Sequence, residues 1–248
     1  IGVDLDCALI EKLRIKNQES GMSNIKLICE NYANLTSIIR QHHVSAPHGI
    51  LFDLGFSFYH IAESGRGFSF QKNEPLDMRY SPSSAKTTAS DIIRKGTREE
   101  LETIFREYGE ERFAGRIADA IAEERKRHSI ETTFELIAVV RRALPHSYEG
   151  GRIHPATRVF QALRIAVNDE FGNITKGIGD GFRALRSGGK IAAISFHSGE
   201  DRIVKNLFRD FTKEGSAVLL TKKPITASPE EIARNSHARS AKLRAIQK

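Results

Sequence analysis

Gly49-Ile50-Leu51-Phe52-Asp53-Leu54 is a short apolar run that closes on an acid, and two similar runs precede it. Ile1-Gly2-Val3-Asp4-Leu5-Asp6 is apolar and ends in Asp4 and Asp6, and Ile25 to Ile28 is a second β-type run. Runs of this length bounded by polar residues suit buried strands. Helical stretches fill the gaps, over about Ala8 to Glu19 and over Leu35 to Gln41. A βαβαβ alternation predicts parallel strands with their carboxyl ends, and the acids there, along one edge. The fold class is therefore α/β, a doubly wound, Rossmann-like sheet.

Between about Ala62 and Arg152 the pattern changes. Gly65 to Tyr80 (GRGFSFQKNEPLDMRY) reads as a loop, followed by helices near Arg98 to Arg106, Glu111 to Arg127 and Thr133 to Ala143, with no convincing strand. A long helix then begins at Pro155, a residue suited to a first helical turn. In His154 to Asn168 (HPATRVFQALRIAVN) the apolar set Val159, Ala162, Leu163 and Ala166 has helical spacing and can face a core. Arg158, Gln161 and Arg164 lie off that stripe. The string Gly177 to Gly181 (GIGDG) follows no strand and marks a weakened or interrupted helix. Strand pattern resumes at Gly189 to Phe196, then a helix near Glu200 to Phe211 and a strand near Ala217 to Thr221. The economical topology is a sheet domain over 1–61 and 153–248, interrupted by an all-helical domain over 62–152.

The 248 residues are ample for a buried core, and 40% hydrophobic with 28% charged residues is ordinary for a globular protein. No apolar run approaches the roughly 18 residues needed to span a bilayer. A net charge of +7 favours a polyanionic partner. Cys7 and Cys29 lack metal-ligand or C-x-x-C spacing and read as buried free thiols of a reducing compartment, hence a cytoplasmic protein. Ile1 opens the chain without an initiator Met or signal-peptide pattern, which reads as a start within a domain.

Four places carry candidate chemistry. Asp4 stands where open α/β sheets put the acid that hydrogen-bonds a nucleotide ribose, although the glycine-rich turn expected about 20 residues earlier lies outside the chain. Asp53 closes the third strand and is followed by Leu54 to His60 (LGFSFYH), so that Asp53, Ser57 and His60 can converge on a ligand; a plain turn capped by Asp53 is the alternative. Ser195 to Arg202 (SFHSGEDR) passes from strand to helix without a G-x-S-x-G elbow or a standard metal-ligand spacing. It reads as a capped helix start or a polar substrate contact, with no metal expected. Asn235 to Arg244 (NSHARSAKLR) is basic and reads as a disordered tail or a phosphate contact.

These strings resemble, in one order through nearly the whole chain, the bacterial 16S ribosomal RNA cytosine-N4 methyltransferase family. The matching segments include DLGFSFYH (Asp53 to His60), RGFSF (Arg66 to Phe70), PLDMR (Pro75 to Arg79), YGEERFAGRIA (Tyr108 to Ala118), TTFEL (Thr132 to Leu136), HPATRVFQALRIAVN, GGKIAAISFHSGEDRIVK (Gly188 to Lys205), KPI (Lys223 to Ile225) and RSAKLR (Arg239 to Arg244). The resemblance implies a class I methyltransferase domain that uses S-adenosyl-L-methionine (AdoMet), split by a helical domain that helps hold RNA. It implies that Asp4 binds the ribose hydroxyls, that Tyr32 borders the adenine and that Asp53 lies near the adenine or methionine end of AdoMet. His60, which stands where the family usually has glutamine, is the fourth residue the resemblance assigns to the cofactor. The family's Ser-Ser pair is Ser57-Phe58 here, its next aspartate is Ala62, and the leucine of its FHS-x-ED string is Gly199. The family also has a first strand and a Gly-Gly-His turn upstream of the position matching Ile1. Without them a gap in the sheet and weakened AdoMet binding are expected.

The implied reaction is methyl transfer to the exocyclic N4 of a cytidine in 16S rRNA or the small ribosomal subunit. N4 is a poor nucleophile because its lone pair is delocalised into the ring, so acceptors for the amine protons are needed; Asp53 and Ser57 are the candidates, with His197 or Asp201 as alternatives on the facing loop. The base should swing out of its stack. Arg158, Arg164, Arg239 and Arg244 are the candidate phosphate contacts. A homodimer is an open expectation, and a membrane partner is not expected. One rival is an RNA-binding or ribosome-assembly homologue with impaired catalysis. Another is a nicotinamide-dependent oxidoreductase, which explains none of the later motifs.

Overall fold

The computed structural model describes residues 1–83, 86–145, 148 and 154–248, so the sequence-derived boundary at 152/153 lies outside the described residues. In chain order the elements are β1 (Gly2–Asp4), α1 (Cys7–Glu19), β2 (Leu27–Cys29), α2 (Leu35–Gln41), β3 (Gly49–Asp53), α3 (Phe58–Ala62), α4 (Ala89–Lys95), α5 (Arg98–Glu107) and α6 (Ala114–Glu124). They continue as α7 (Thr133–Ala143), α8 (Thr157–Asn168), α9 (Glu170–Ala184), β4 (Lys190–Ser195), α10 (Ser198–Lys213), β5 (Val218–Leu219), β6 (Ile225–Thr226), α11 (Pro229–Arg234) and β7 (Lys242–Gln247). The chain falls into two compact units, Ile1–Gly55 with Glu170–Lys248, and Phe56–Asp169.

The first unit is α/β. β1 pairs with β2 in parallel, Asp4 opposite Cys29, and β3 pairs with β4 in parallel, Asp53 opposite Ile194. The two ladders share no strand among the described residues, and Leu51 on β3 is 64% exposed. Phe52, Leu54, Ile178, Phe182, Ile191 and Phe208 form the core of this unit. Three sequence expectations are corrected here. First, residues 242–247 are not a tail: β7 lies between β4 and β5, antiparallel to both, and also pairs with β6. Second, the GIGDG helix is not interrupted, because α9 runs through it without a break. Its glycines allow close approach: a Cβ on Gly177 would lie 2.5 Å from Cδ2 of Tyr32, and one on Gly181 would lie 3.2 to 3.3 Å from Ile50, Leu35 and Phe52. Third, Cys7 and Cys29 are not separate buried thiols. They form a disulfide with a Cα–Cα distance of 5.1 Å, because the first turn of α1 lies beside the end of β2. Cys7 is exposed and Cys29 half-buried.

The second unit is helical. Thr88, Thr97 and Thr132 accept N3 amide bonds at the starts of α4, α5 and α7, while Asp91, Glu100 and Glu135 reach back to the cap amides. These capping boxes satisfy amides that a helix start leaves open. Leu101, Phe105, Ile117, Ile121, Leu136 and Val140 are buried between the helices. On α8, Val159, Ala162 and Leu163 are buried as the spacing predicts, and Ala166 is half-buried. The long helix expected from Pro155 is divided at Asp169, whose φ of 47° ends α8 before α9 begins. No helix among the described residues is long and apolar enough to cross a membrane.

Candidate functional site

In the first unit, acids stand at the carboxyl ends of both parallel ladders. Oδ1 of Asp4, at the end of β1, accepts the Asp6 amide at 2.7 Å, and Asp6 caps α1 by accepting from Ala8 and Leu9 at 3.0 and 3.3 Å. Burial raises the Asp4 pKa; the Asp6 amide opposes that shift and the Asp6 charge adds to it. Tyr32 opens the turn after β2. Its ring meets Phe52, the residue before Asp53, edge to face at 5.8 Å, so the ends of β2 and β3 are neighbours. Asp53 is exposed at the end of β3, yet partial burial and the negative charge of Glu200 push its pKa up. A carboxylate held this way takes a proton more readily than a free one.

Glu200, with 0% relative exposure, anchors the β4–α10 turn. Its Oε2 accepts the amides of Phe196 and His197 at 2.7 and 3.3 Å, while Nδ1 of His197 accepts the Glu200 amide at 3.4 Å. That bond leaves Nε2 of neutral His197 as the protonated nitrogen, 3.3 Å from Oε1 of Glu200 without hydrogen-bond alignment. Glu170, at the start of α9, brings its carboxylate to the same place, with ligand-capable atoms of Glu170, His197 and Glu200 within 4.8 Å of one another. Because Nε2 carries the proton in this tautomer, the cluster offers a donor between two buried acids. A metal would require that bond to be broken and the tautomer changed. A capped helix start after β4 was legible in sequence; the His197–Glu200 capping box and the approach of Glu170 were not.

In the second unit, Ser57 and His60 do come together. The Ser57 amide donates to Nδ1 of His60 at 3.2 Å, with the Ser57 hydroxyl also at 3.2 Å. His60 is buried, with ring centroids of Phe68 and Tyr80 each 5.0 Å away. Arg164 is also buried, its guanidinium 4.2 Å from the Phe56 ring centroid. Arg158 is half-buried and donates to the Glu110 carbonyl at 3.0 Å.

The two C-terminal arginines part company. Arg239 is exposed. Arg244, 9% exposed on β7, meets Asp201 of α10 through Nε–Oδ1 at 2.7 Å and Nη2–Oδ2 at 3.1 Å. Burial pushes the Asp201 pKa up, but the Arg244 hydrogen bonds and the Arg244 and Lys242 charges outweigh it and lower the pKa. The Arg244 guanidinium thus holds β7 to α10.

An α/β sheet with acids at the carboxyl ends of its parallel strands is an arrangement that nucleotide-cofactor enzymes use. The chain belongs to the MraW methylase family, whose model it matches over residues 1–248. It is 46% identical over 244 residues to the ribosomal RNA small subunit methyltransferase H of Persephonella marina, an alignment spanning 98% of this chain and 82% of the relative. The protein of the same name from Coprothermobacter proteolyticus is 44% identical over 248 residues, covering 100% of this chain and 81% of the relative. That of Leptospira interrogans (serovar copenhageni) is 52% identical over 202 residues, covering 82% of this chain and 60% of the relative.

Proposed function

We propose that this chain methylates the exocyclic N4 of a cytidine in 16S rRNA of the small ribosomal subunit, with AdoMet as methyl donor, in the cytoplasm where that RNA is found. The observation that carries the reading is the pairing of strand-end acids, Asp4 and Asp53, with an aromatic, Tyr32, packed onto the strand that ends in Asp53. An adenosine moiety needs a carboxylate for its ribose hydroxyls and an apolar wall for its base. These residues fit such a group. When bound, AdoMet supplies an electrophilic methyl on a sulfonium.

The chain's own residues have three tasks. Asp4 and Tyr32 hold the adenosine, and His60, which the family resemblance assigns to the cofactor, supports the loop after Asp53 through Ser57. Asp53, with its raised pKa, accepts an N4 proton as the nitrogen becomes tetrahedral. Ser57 and His197 are the further candidates for orienting the amine. Residues 62–152 act as an inserted helical substrate-recognition domain between two parts of a class I methyltransferase domain, 1–61 and 153–248. Arg158 and Arg239 attract RNA phosphate, so binding weakens with salt; Arg164, buried against the Phe56 ring, instead fixes its own helix. Arg244 contributes by fixing the strand that carries it.

Calorimetric titration with AdoMet tests the cofactor half of this reading. Saturable binding that is weakened at least about tenfold by Asp4→Asn supports it. Binding unaffected by Asp4→Asn removes Asp4 from the site, and no binding to a folded chain overturns the reading.

A further inference from the structure

We propose that Cys7 and Cys29 are a reversible dithiol–disulfide switch that governs the order of the Asp4 strand end and, through it, cofactor affinity. The inference about affinity rests on the reading of Asp4 as the ribose acid. The geometry comes from three adjoining elements. Asp4 and Cys29 are partners in the β1–β2 register, and the Glu30 amide donates to the Asp4 carbonyl at 3.0 Å. On the other side, Asp4 takes the Asp6 amide, and Asp6 takes the amides of Ala8 and Leu9, the two residues that follow Cys7 in the first turn of α1. The disulfide therefore joins the element that precedes the site, β2, to the helix start whose cap orients the Asp4 carboxylate. Asp4 sits inside a closed ring of covalent and hydrogen-bonded links when the bridge is formed, and in an open one when it is reduced.

The exposure of the two residues suits exchange. Cys7 is exposed and is the sulfur an outside reagent reaches first, while Cys29 is half-buried, its Sγ 3.8 Å from the Leu5 carbonyl oxygen. With a small-molecule disulfide of the glutathione class as oxidant, the Cys7 thiolate attacks one of its sulfurs, forming a mixed disulfide and releasing one small thiolate. The Cys29 thiolate then attacks Cys7 Sγ, the protein disulfide forms and the second small thiolate leaves. Two protons and two electrons leave the protein, and the oxidant gains them as two thiols. Reduction by excess thiol reverses each step.

The test compares the 248-residue chain equilibrated in reduced and in oxidised glutathione, with free thiols titrated in each sample and AdoMet affinity measured by calorimetry. Interconversion between two titratable thiols and none, with AdoMet bound about tenfold more tightly by the oxidised form, is the expected result. Cys7→Ser should bind like the reduced form in both buffers. Equal affinity of the two redox forms, within about twofold, or failure of glutathione disulfide to re-form the bridge, overturns the proposal. If neither form binds AdoMet, the cofactor reading fails separately, and amide exchange at Asp6, Ala8 and Leu9 decides the switch. Slower exchange in the oxidised form sustains it, and equal exchange overturns it.

Discussion

Gly177 of α9 lies against Tyr32 so closely that a Cβ there would fall 2.5 Å from Cδ2 and 2.9 Å from Cε2 of the ring, and 3.3 Å from the Tyr32 carbonyl oxygen. The ring cannot move aside freely, since its edge-to-face partner Phe52 is buried. Gly177→Ala is expected to destabilise the chain by about 1–3 kcal/mol through overpacking, despite alanine's better helix propensity. Gly179, where a Cβ would meet only Nη1 of Arg183 at 3.7 Å, provides the contrast. Gly179→Ala should stabilise by roughly 0.5–1 kcal/mol. Urea midpoints of both variants check the pair.

The Asp201–Arg244 pair makes a prediction about pH. The folded-state pKa of Asp201 is lowered. Its stabilising contribution is therefore present above the unfolded carboxylate value of about 3.9 and is lost as pH falls through the folded value. Arg244→Ala should cost stability near neutral pH, at the low end of about 3–5 kcal/mol because Nζ of Lys242 still faces Asp201 at 3.6 Å. The loss should shrink on acidification. Denaturant titrations of both proteins across the acid range read this directly.

The Asn168 side chain at the end of α8 holds the 78–80 loop. Its Nδ2 donates to the carbonyls of Met78 at 2.7 Å and Arg164 at 2.9 Å, and its Oδ1 accepts the Tyr80 amide at 2.8 Å. Met78 is fully buried with φ of 60°, a left-handed conformation that needs such support. Asn168→Ala should cost about 1–3 kcal/mol and loosen the 78–80 loop, seen as faster amide exchange at Tyr80.

Glu200 raises the Asp53 pKa by its charge. If Asp53 accepts the amine proton, the acid limb of kcat/KM reports Asp53, and Glu200→Gln should move that limb to lower pH. An unchanged limb would assign the proton acceptor elsewhere.

How far the sequence could be read depended on how local the physics was. Thr133–Ala143 and Leu35–Gln41 were legible to the residue, because apolar spacing, and for the first a capping box, are properties of one segment. The α/β character and the acids at strand ends followed from short apolar runs. β7 was not legible, since Arg244 reads as a solvent-seeking charge until Asp201, 43 residues away, is brought beside it. The GIGDG string likewise looks like a broken helix until Tyr32 is seen to require the missing side chain. Cys7 and Cys29 read as separate thiols because their pairing depends on the β1–β2 register, and Glu170 joins the His197–Glu200 pair only through the packing of α9.

The most direct test of the account supplies AdoMet labelled in its methyl group, with small ribosomal subunits or their 16S rRNA lacking the modification, and identifies the labelled nucleoside by mass spectrometry after digestion. The account predicts label in N4-methylcytidine, dependent on Asp53. Label on any other atom, or none transferred by a chain that binds both AdoMet and the RNA, would contradict it.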